Sequence, residues 1–295
     1  MLRVVFYIFL GTHLLVSHVK LLGKVLQEMD TVLSKPHSVL LTASDTGVAL
    51  PGDLSSIASN PAMFSVVLPQ YSISFDALLE KGTNGTCGLG FFDSKSSPVA
   101  AGIYYRQDSL KFKSADKRVS VGASLEVNKY LEMSFVNAFS LGFSYDTYML
   151  GQCQDCRRLY GHSLLPGAFL SLALTDGGYP VNFGFSYKYF TDVSNKAEMR
   201  YGLSTPIADG LFLLGLDGLM IGNKFEKGIA NFVVYPKDYL NIRASVGYNK
   251  EKKHVEWGGG FFLYSKYLRF YYAFNSEESL DKIKHSLGVD FLLAF

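Results

Sequence analysis

What this chain has little of narrows its class. Its 295 residues carry a formal charge of +2, from 28 Lys and Arg against 26 Asp and Glu. That balance creates no field strong enough to gather a nucleic acid, so such a partner is not expected. Beyond the N-terminus no run of about 18 or more apolar residues lacks a charge, which argues against a bundle of membrane helices. The most apolar internal run, Leu211 to Ile221, is short and contains Asp217. Cysteine is scarce: Cys87, Cys153 and Cys156 are the only three. No second Cys pair or close His pair completes a zinc set, and Cys153-x-x-Cys156 lacks the βαβ context of a thioredoxin site. That pair is either inert or closed into a small disulfide loop, and no metal is expected.

Catalytic patterns are missing too. There is no Gly-x-Ser-x-Gly elbow and no His-Glu-x-x-His, and Gly85, Gly88 and Gly90 lack the Lys-Ser/Thr of a phosphate loop. His162-Ser163 and His285-Ser286 are adjacent pairs. Neighbours on a strand point to opposite faces, so they make poor dyads. The reading is of a protein that is not an enzyme and needs no cofactor.

What is abundant is Tyr, Phe and Gly, with 19, 23 and 28 residues. Rings gather at the two water interfaces of membrane barrels, and Gly eases curvature. The final ten positions carry the governing pattern. Leu287, Val289, Phe291, Leu293 and Phe295 alternate with Ser286, Gly288, Asp290, Leu292 and Ala294, a period of two that makes a β-strand with one apolar face. The same alternation recurs from Tyr71 to Ala77, Val99 to Arg106, Val119 to Asn128, Phe139 to Asp146, Val181 to Tyr189 and Leu240 to Asn249. These segments run up to ten residues, within the length of about nine to eleven that a tilted strand needs to cross a bilayer, where soluble strands usually stop at about five or six.

With weaker segments near 84–92, 166–175, 198–204, 210–220, 227–235, 254–264 and 266–275, the total is about 14 strands, within a range of 12 to 16. The connections agree in part. With both termini periplasmic, the short links are Asp93 to Ser97, Asp176 to Pro180, Pro236 to Asp238 and Ser265-Lys266, while Gln107 to Lys117 and Leu150 to Leu165 are long and face outward. The fold class is therefore all-β, a transmembrane antiparallel outer-membrane β-barrel spanning residues 70–295, with a short N-terminal helical plug.

Ahead of the barrel, Arg3 followed by the apolar stretch Val4 to Val19 predicts a signal peptide over residues 1–23. Residues 24–69 then hold an N-terminal helix, with Val25, Leu26, Met29, Val32 and Leu33 at helical spacing, and the plug. In Leu41 to Phe64, LTASDTGVALPGDLSSIASNPAMF, Asp53 is a candidate N-cap, Leu54 to Ser59 fits one or two helical turns, and Asn60-Pro61 stops them. This stretch resembles the N-terminal signature of the outer-membrane long-chain fatty-acid transporter superfamily. Gly47-Val48-Ala49-Leu50 before the acidic cap is most similar to its PorV/PorQ-like branch. The closing segments resemble that branch as well: Leu240 to Asn249, Gly258-Gly259-Gly260, Phe270 to Phe274 and Ser286 to Phe295.

The resemblance implies a hatch inside the barrel, held by Asp53, Asn60, Pro61 and Ala62, and passage of hydrophobic small molecules such as fatty acids across the outer membrane. The alternative it implies is a PorV-like barrel that anchors or receives a secreted protein on its long outer loops. Phe295 looks like the terminal aromatic read by the barrel assembly machinery. Partners are then outer-membrane lipid, that machinery, and hydrophobic small molecules or a secreted protein. From alternation alone, Asp76, Arg106, Glu126, Asp146, Lys188, Arg243, Glu256, Arg269 and Asp290 face the lumen. Interspersed signs favour mutual pairing there over permeant selection. Trp257 and the tyrosines near strand ends read as interface anchors.

Overall fold

A computed structural model describes residues 47–50, 54–80, 85–107, 116–131, 135–149, 160–173, 179–191, 197–251, 253–276 and 283–293. Fourteen strands run in chain order: β1 (Tyr71–Glu80), β2 (Thr86–Asp93), β3 (Val99–Gln107), β4 (Lys117–Glu126), β5 (Val136–Met149), β6 (Tyr160–Ala173), β7 (Pro180–Phe190), β8 (Glu198–Ile207), β9 (Phe212–Ile221), β10 (Lys224–Lys237), β11 (Leu240–Asn249), β12 (His254–Tyr264), β13 (Leu268–Ser276) and β14 (Ile283–Leu293). Every neighbour is antiparallel and next in sequence, and β14 closes onto β1 from Tyr71↔Leu293 to Glu80↔Lys284. Closure removes every sheet edge, the condition for β-structure inside a membrane.

Period-two alternation decides the two faces. Phe75, Leu89, Ile103, Val121, Phe143, Phe185, Leu216, Val246 and Leu287 lie on the outside, each exposed by two-fifths or more, while Ser74, Ser120, Ser144, Asp146, Lys188 and Glu256 are buried inside. A soluble protein would show the reverse. An apolar exterior around a polar interior is the surface of a barrel standing in lipid, and this chain is an outer-membrane β-barrel.

The expected strands all form, with boundaries corrected: β4 ends at Glu126, and Val127–Lys129 is a short 3₁₀ turn where the alternation was expected to run on to Asn128. The fifth connection does not extend to Leu165: β6 begins at Tyr160 and pairs with β5 from Met149↔Tyr160 onward. Cross-strand chemistry carries the ladder upward there. Ser163 points inward and donates to Asp146 (3.0 Å), while His162 points outward and stacks on Tyr145 at 5.5 Å. Turns at the opposite end of the strands from the plug include the two-residue link Gly222-Asn223 between Ile221 and Lys224, where Gly222 takes φ 59°. Glycine at the first central position suits a tight hairpin of this twist.

Candidate functional site

Two short 3₁₀ helices, Leu54–Ile57 and Pro61–Val66, lie inside the barrel together with Gly47 to Leu50. The sequence explains the break between them. Pro61 lacks an N–H and begins the second helix at no cost, because the first N–H of a helix has no partner anyway. Asn60 is extended (φ −154°), and its Oδ1 accepts from the Ala62 N–H at 3.2 Å. This corrects one expectation: Asn60-Pro61 does more than stop a helix, since Asn60 caps the next one. Its amide also donates to Val48 O (2.9 Å) and Ala168 O (3.0 Å), tying both plug segments to β6. Asn60 and Ala62 have no solvent exposure. Asp53, the expected cap of the first helix, lies outside the described residues, as do the expected signal peptide, the helix of 24–34, Cys153, Cys156 and Phe295.

The wall is shaped to receive this plug. Eight consecutive strands, β2 to β9, each turn a glycine inward at plug height: Gly90, Gly102, Gly122, Gly142, Gly167, Gly184, Gly202 and Gly215. A Cβ on Gly142 would stand 2.6 Å from Ala62 N and from Pro61 C, and one on Gly122 3.0 Å from the Phe64 ring. Cβ atoms at Gly167, Gly184 and Gly90 would collide with Asn60, Val48 and Leu54. The glycines were expected to ease curvature; here they also make room. Two positions along, on the same face, serines grip plug carbonyls. Ser144 Oγ donates to Ile57 O (2.8 Å), Ser186 Oγ to Ser59 O (2.6 Å) and Ser204 Oγ to Ala49 O (2.7 Å). Arg200 Nη1 adds a bond to Ala58 O at 3.2 Å, and Gly47 N–H donates to Asp217 Oδ2 at 3.2 Å.

Apolar contacts complete the seat. Leu54, Ile57 and Phe64 pack with Phe92, Ala100 and Tyr104; Ala62 and Met63 with Phe169; Leu50 with Leu213 and Val233. Phe64 meets Phe92 edge-on at 5.1 Å. These interior clusters are the hydrophobic core in the usual sense, and the plug contributes to each of them.

Toward the far end from the plug, strands β4 to β7 focus on one carboxylate. Asp146 accepts from Arg118 (2.7 Å), Tyr148 Oη (2.9 Å) and Ser163 Oγ (3.0 Å), with Lys188 Nζ at 3.2 Å. Arg118, Asp146 and Lys188 are almost wholly buried, so each charge depends on the others for its solvation. Tyr104 Oη donates to Asp76 (2.9 Å). Glu256 pairs with Lys227, and Arg269 with Asp290 across β13 and β14. Arg106 lies buried among them on β3. Glu126 sits lower, at the end of β4, bonded to the exposed Lys129, a rim position.

Arg243 is the departure from mutual pairing. It lies over the Phe262 ring at 4.3 Å and bonds Asn241, with no carboxylate partner among the described residues. Sequence reading missed Arg118, Glu198, Arg200, Asp217 and Lys227 as lumenal charges. Arg118 was within reach, two positions before Ser120 on a face already assigned inward.

The β6–β7 ladder is interrupted in mid-strand. Partners between β6 and β7 pass from Leu164↔Tyr189 directly to Gly167↔Ser186. Pro166, exposed on the outer face, has no N–H to offer, and two rungs are lost beside the glycine that Asn60 abuts.

No protein-family model matches the chain, and no curated protein does. Solved structures do. The Ralstonia pickettii toluene transporter TbuX aligns with a TM-score of 0.53 at 10% identity, over 84% of this chain and 95% of that one. The monoaromatic hydrocarbon channel TodX, as its deltaS2 mutant, aligns with a TM-score of 0.51 at 10% identity, over 83% and 95%. What this chain has in common with both is the outer-membrane barrel fold.

Proposed function

We propose that this barrel passes hydrophobic small molecules, fatty-acid-like or hydrocarbon-like, across the outer membrane past a seated plug. The observation that carries the reading is the glycine belt. Eight strands forgo side chains to admit Val48–Leu50 and Leu54–Val66, an investment that a merely structural lumen filled by its own wall would not need. The broken β6–β7 ladder at Pro166 supports a lateral exit next to Asn60, where an apolar molecule would reach lipid without crossing water. TbuX and TodX, described as a toluene transporter and a monoaromatic hydrocarbon channel, are consistent with that class of cargo.

The test is uptake of radiolabelled oleate and toluene by cells that lack their own hydrophobic channels and express this chain. Uptake above empty vector, changed in Asn60→Ala, supports the reading; uptake equal to vector for both compounds overturns it.

A second reading, the PorV-like anchoring of a secreted protein, is favoured by the buried Arg118–Asp146–Lys188 layer. Such a layer fills the lumen beside β4 to β7 and suits a barrel that works through its outer surface. Retention of a secreted protein on expressing cells, without oleate or toluene uptake, would select it.

A further inference from the structure

Among the described residues, the plug contacts the wall from β2 to β10, and the arc β11 to β14 is lined by its own side chains. Near the plug-side end of that arc, Asn241, Arg243, Phe262, Tyr264 and Tyr271 form one assembly. Phe262 stacks with Tyr271 at 5.6 Å and with Tyr264 at 6.4 Å. Gly288 permits it, since a Cβ there would strike the Tyr271 ring. Arg243 lies over the Phe262 ring, its Cζ 4.3 Å from the centroid. Its Nε donates to Asn241 Oδ1 (3.3 Å), while Asn241 Nδ2 donates to Tyr264 Oη (3.1 Å).

The guanidinium is thereby held at two points, by stacking and by Nε, and its Nη1 and Nη2 meet no acceptor among the described residues. Five other described lumenal cations differ in this respect. Arg118 and Lys188 share Asp146, Arg200 bonds Glu198, Lys227 pairs with Glu256 and Arg269 with Asp290. An arginine held by its Nε and a ring, half-buried and with its Nη pair uncommitted among the described residues, matches a carboxylate bidentately. The rings beside it match a flat apolar body.

We infer that this arc is a binding site for an aromatic carboxylate, with the carboxylate on the Nη pair of Arg243 and the ring against Phe262 and Tyr271. The inference rests on the transport reading and deepens it. Neutral hydrophobic cargo would be handled at the plug, and an acidic group would be read on the wall opposite. Pre-organisation by Asn241 means that little side-chain freedom is lost on binding.

The experiment is titration of the detergent-purified barrel with 4-phenylbutyrate and with the uncharged 4-phenylbutan-1-ol, followed calorimetrically and by ligand-observed NMR. Wild type should prefer the acid. In Arg243→Gln the affinity for the acid should fall by about tenfold or more, the loss of a charge-assisted pair, with the alcohol unchanged. Phe262→Leu should weaken 4-phenylbutyrate more than octanoate, since only the former presents a ring. Folding of each variant is checked by its heat-modifiable gel mobility.

No binding of the acid to wild type, equal affinity for acid and alcohol, or an undiminished acid affinity in folded Arg243→Gln would each overturn the inference. Toluene uptake in cells, which does not involve Arg243, separates that failure from a failure of the transport reading. Loss of toluene uptake with acid binding intact would count against the plug route alone.

Discussion

The two arcs of the inner wall are made of different material. From β2 to β9 the inward residues at plug height are glycine and serine, and what fills the lumen comes from another part of the chain. From β11 to β14 they are Phe262, Tyr264, Tyr271, Arg243 and Arg269, and the wall fills its own side. The same period-two strand builds both. The inner face therefore records its neighbour: a glycine of β2 to β9 gives way to the plug, and Gly288 of β14 to the Tyr271 ring. The difference also separates two kinds of cohesion. Plug contacts join segments distant in sequence, whereas the aromatic assembly joins successive strands already in register.

Substitutions can break this comparison at different depths. The largest effect is expected at Asp146. Asp146→Ala would leave Arg118 and Lys188 buried without their carboxylate, and removal of one partner of a buried pair costs about 3–5 kcal/mol. The urea midpoint of the barrel in lipid vesicles should drop accordingly. A smaller shift than that of Lys129→Ala, an exposed pair, would show that water reaches the cluster.

Next comes Asn60→Ala, which strips partners from Val48 O, Ala168 O and the Ala62 N–H at a site with no solvent exposure. Unsatisfied buried groups cost roughly 1–3 kcal/mol each. Hydrogen exchange should therefore rise at Val48–Leu50 and Ala62–Phe64 before it rises anywhere in β11 to β14.

A matched pair of glycines sharpens the contrast. In Gly142→Ala the new methyl meets the backbone of Pro61 and Ala62, whereas in Gly288→Ala it meets the far end of the Tyr271 side chain, which can swing aside. Overpacking costs about 1–3 kcal/mol where nothing can give. Gly142→Ala should lower the thermal midpoint clearly, and Gly288→Ala should lower it less while altering near-ultraviolet dichroism from the tyrosines. Equal shifts would mean that the plug yields as easily as a ring.

Smallest are Ser144→Ala, Ser186→Ala and Ser204→Ala, each removing one bond to a plug carbonyl for about 0.5–1.5 kcal/mol. Added together, they should loosen the plug without moving the unfolding of the aromatic arc.

The barrel was legible in the sequence because alternation survives burial: Phe139, Leu141 and Phe143 face lipid, and Ser140, Gly142 and Ser144 face inward, whatever lies behind them. The site was less so. Gly142 gives no sign in its own segment that Pro61 will rest on it, since that contact is set by barrel curvature and the path of a distant segment. The repeated Gly-x-Ser at Gly142-Phe143-Ser144, Gly184-Phe185-Ser186 and Gly202-Leu203-Ser204 was nevertheless visible as a motif. Its period of two places both residues on one face. Spacing alone made Asn60 a helix stop, and only the family resemblance put it in a hatch, because its bond to Ala168 is a tertiary contact. Arg243 was read with the paired charges, since alternation gives a face and not a partner.

The account turns on the plug lying sealed within the glycine belt. Ser56→Cys and Ser59→Cys, nearly isosteric changes at positions only 2% exposed, can each be placed in a chain whose Cys87, Cys153 and Cys156 are replaced by Ser. Reaction of the folded, membrane-inserted barrel with a hydrophilic maleimide should be slower by orders of magnitude than at Leu68→Cys, which is 84% exposed. Labelling of the two plug cysteines at the rate of Leu68→Cys would contradict a seated plug and, with it, the function built on it.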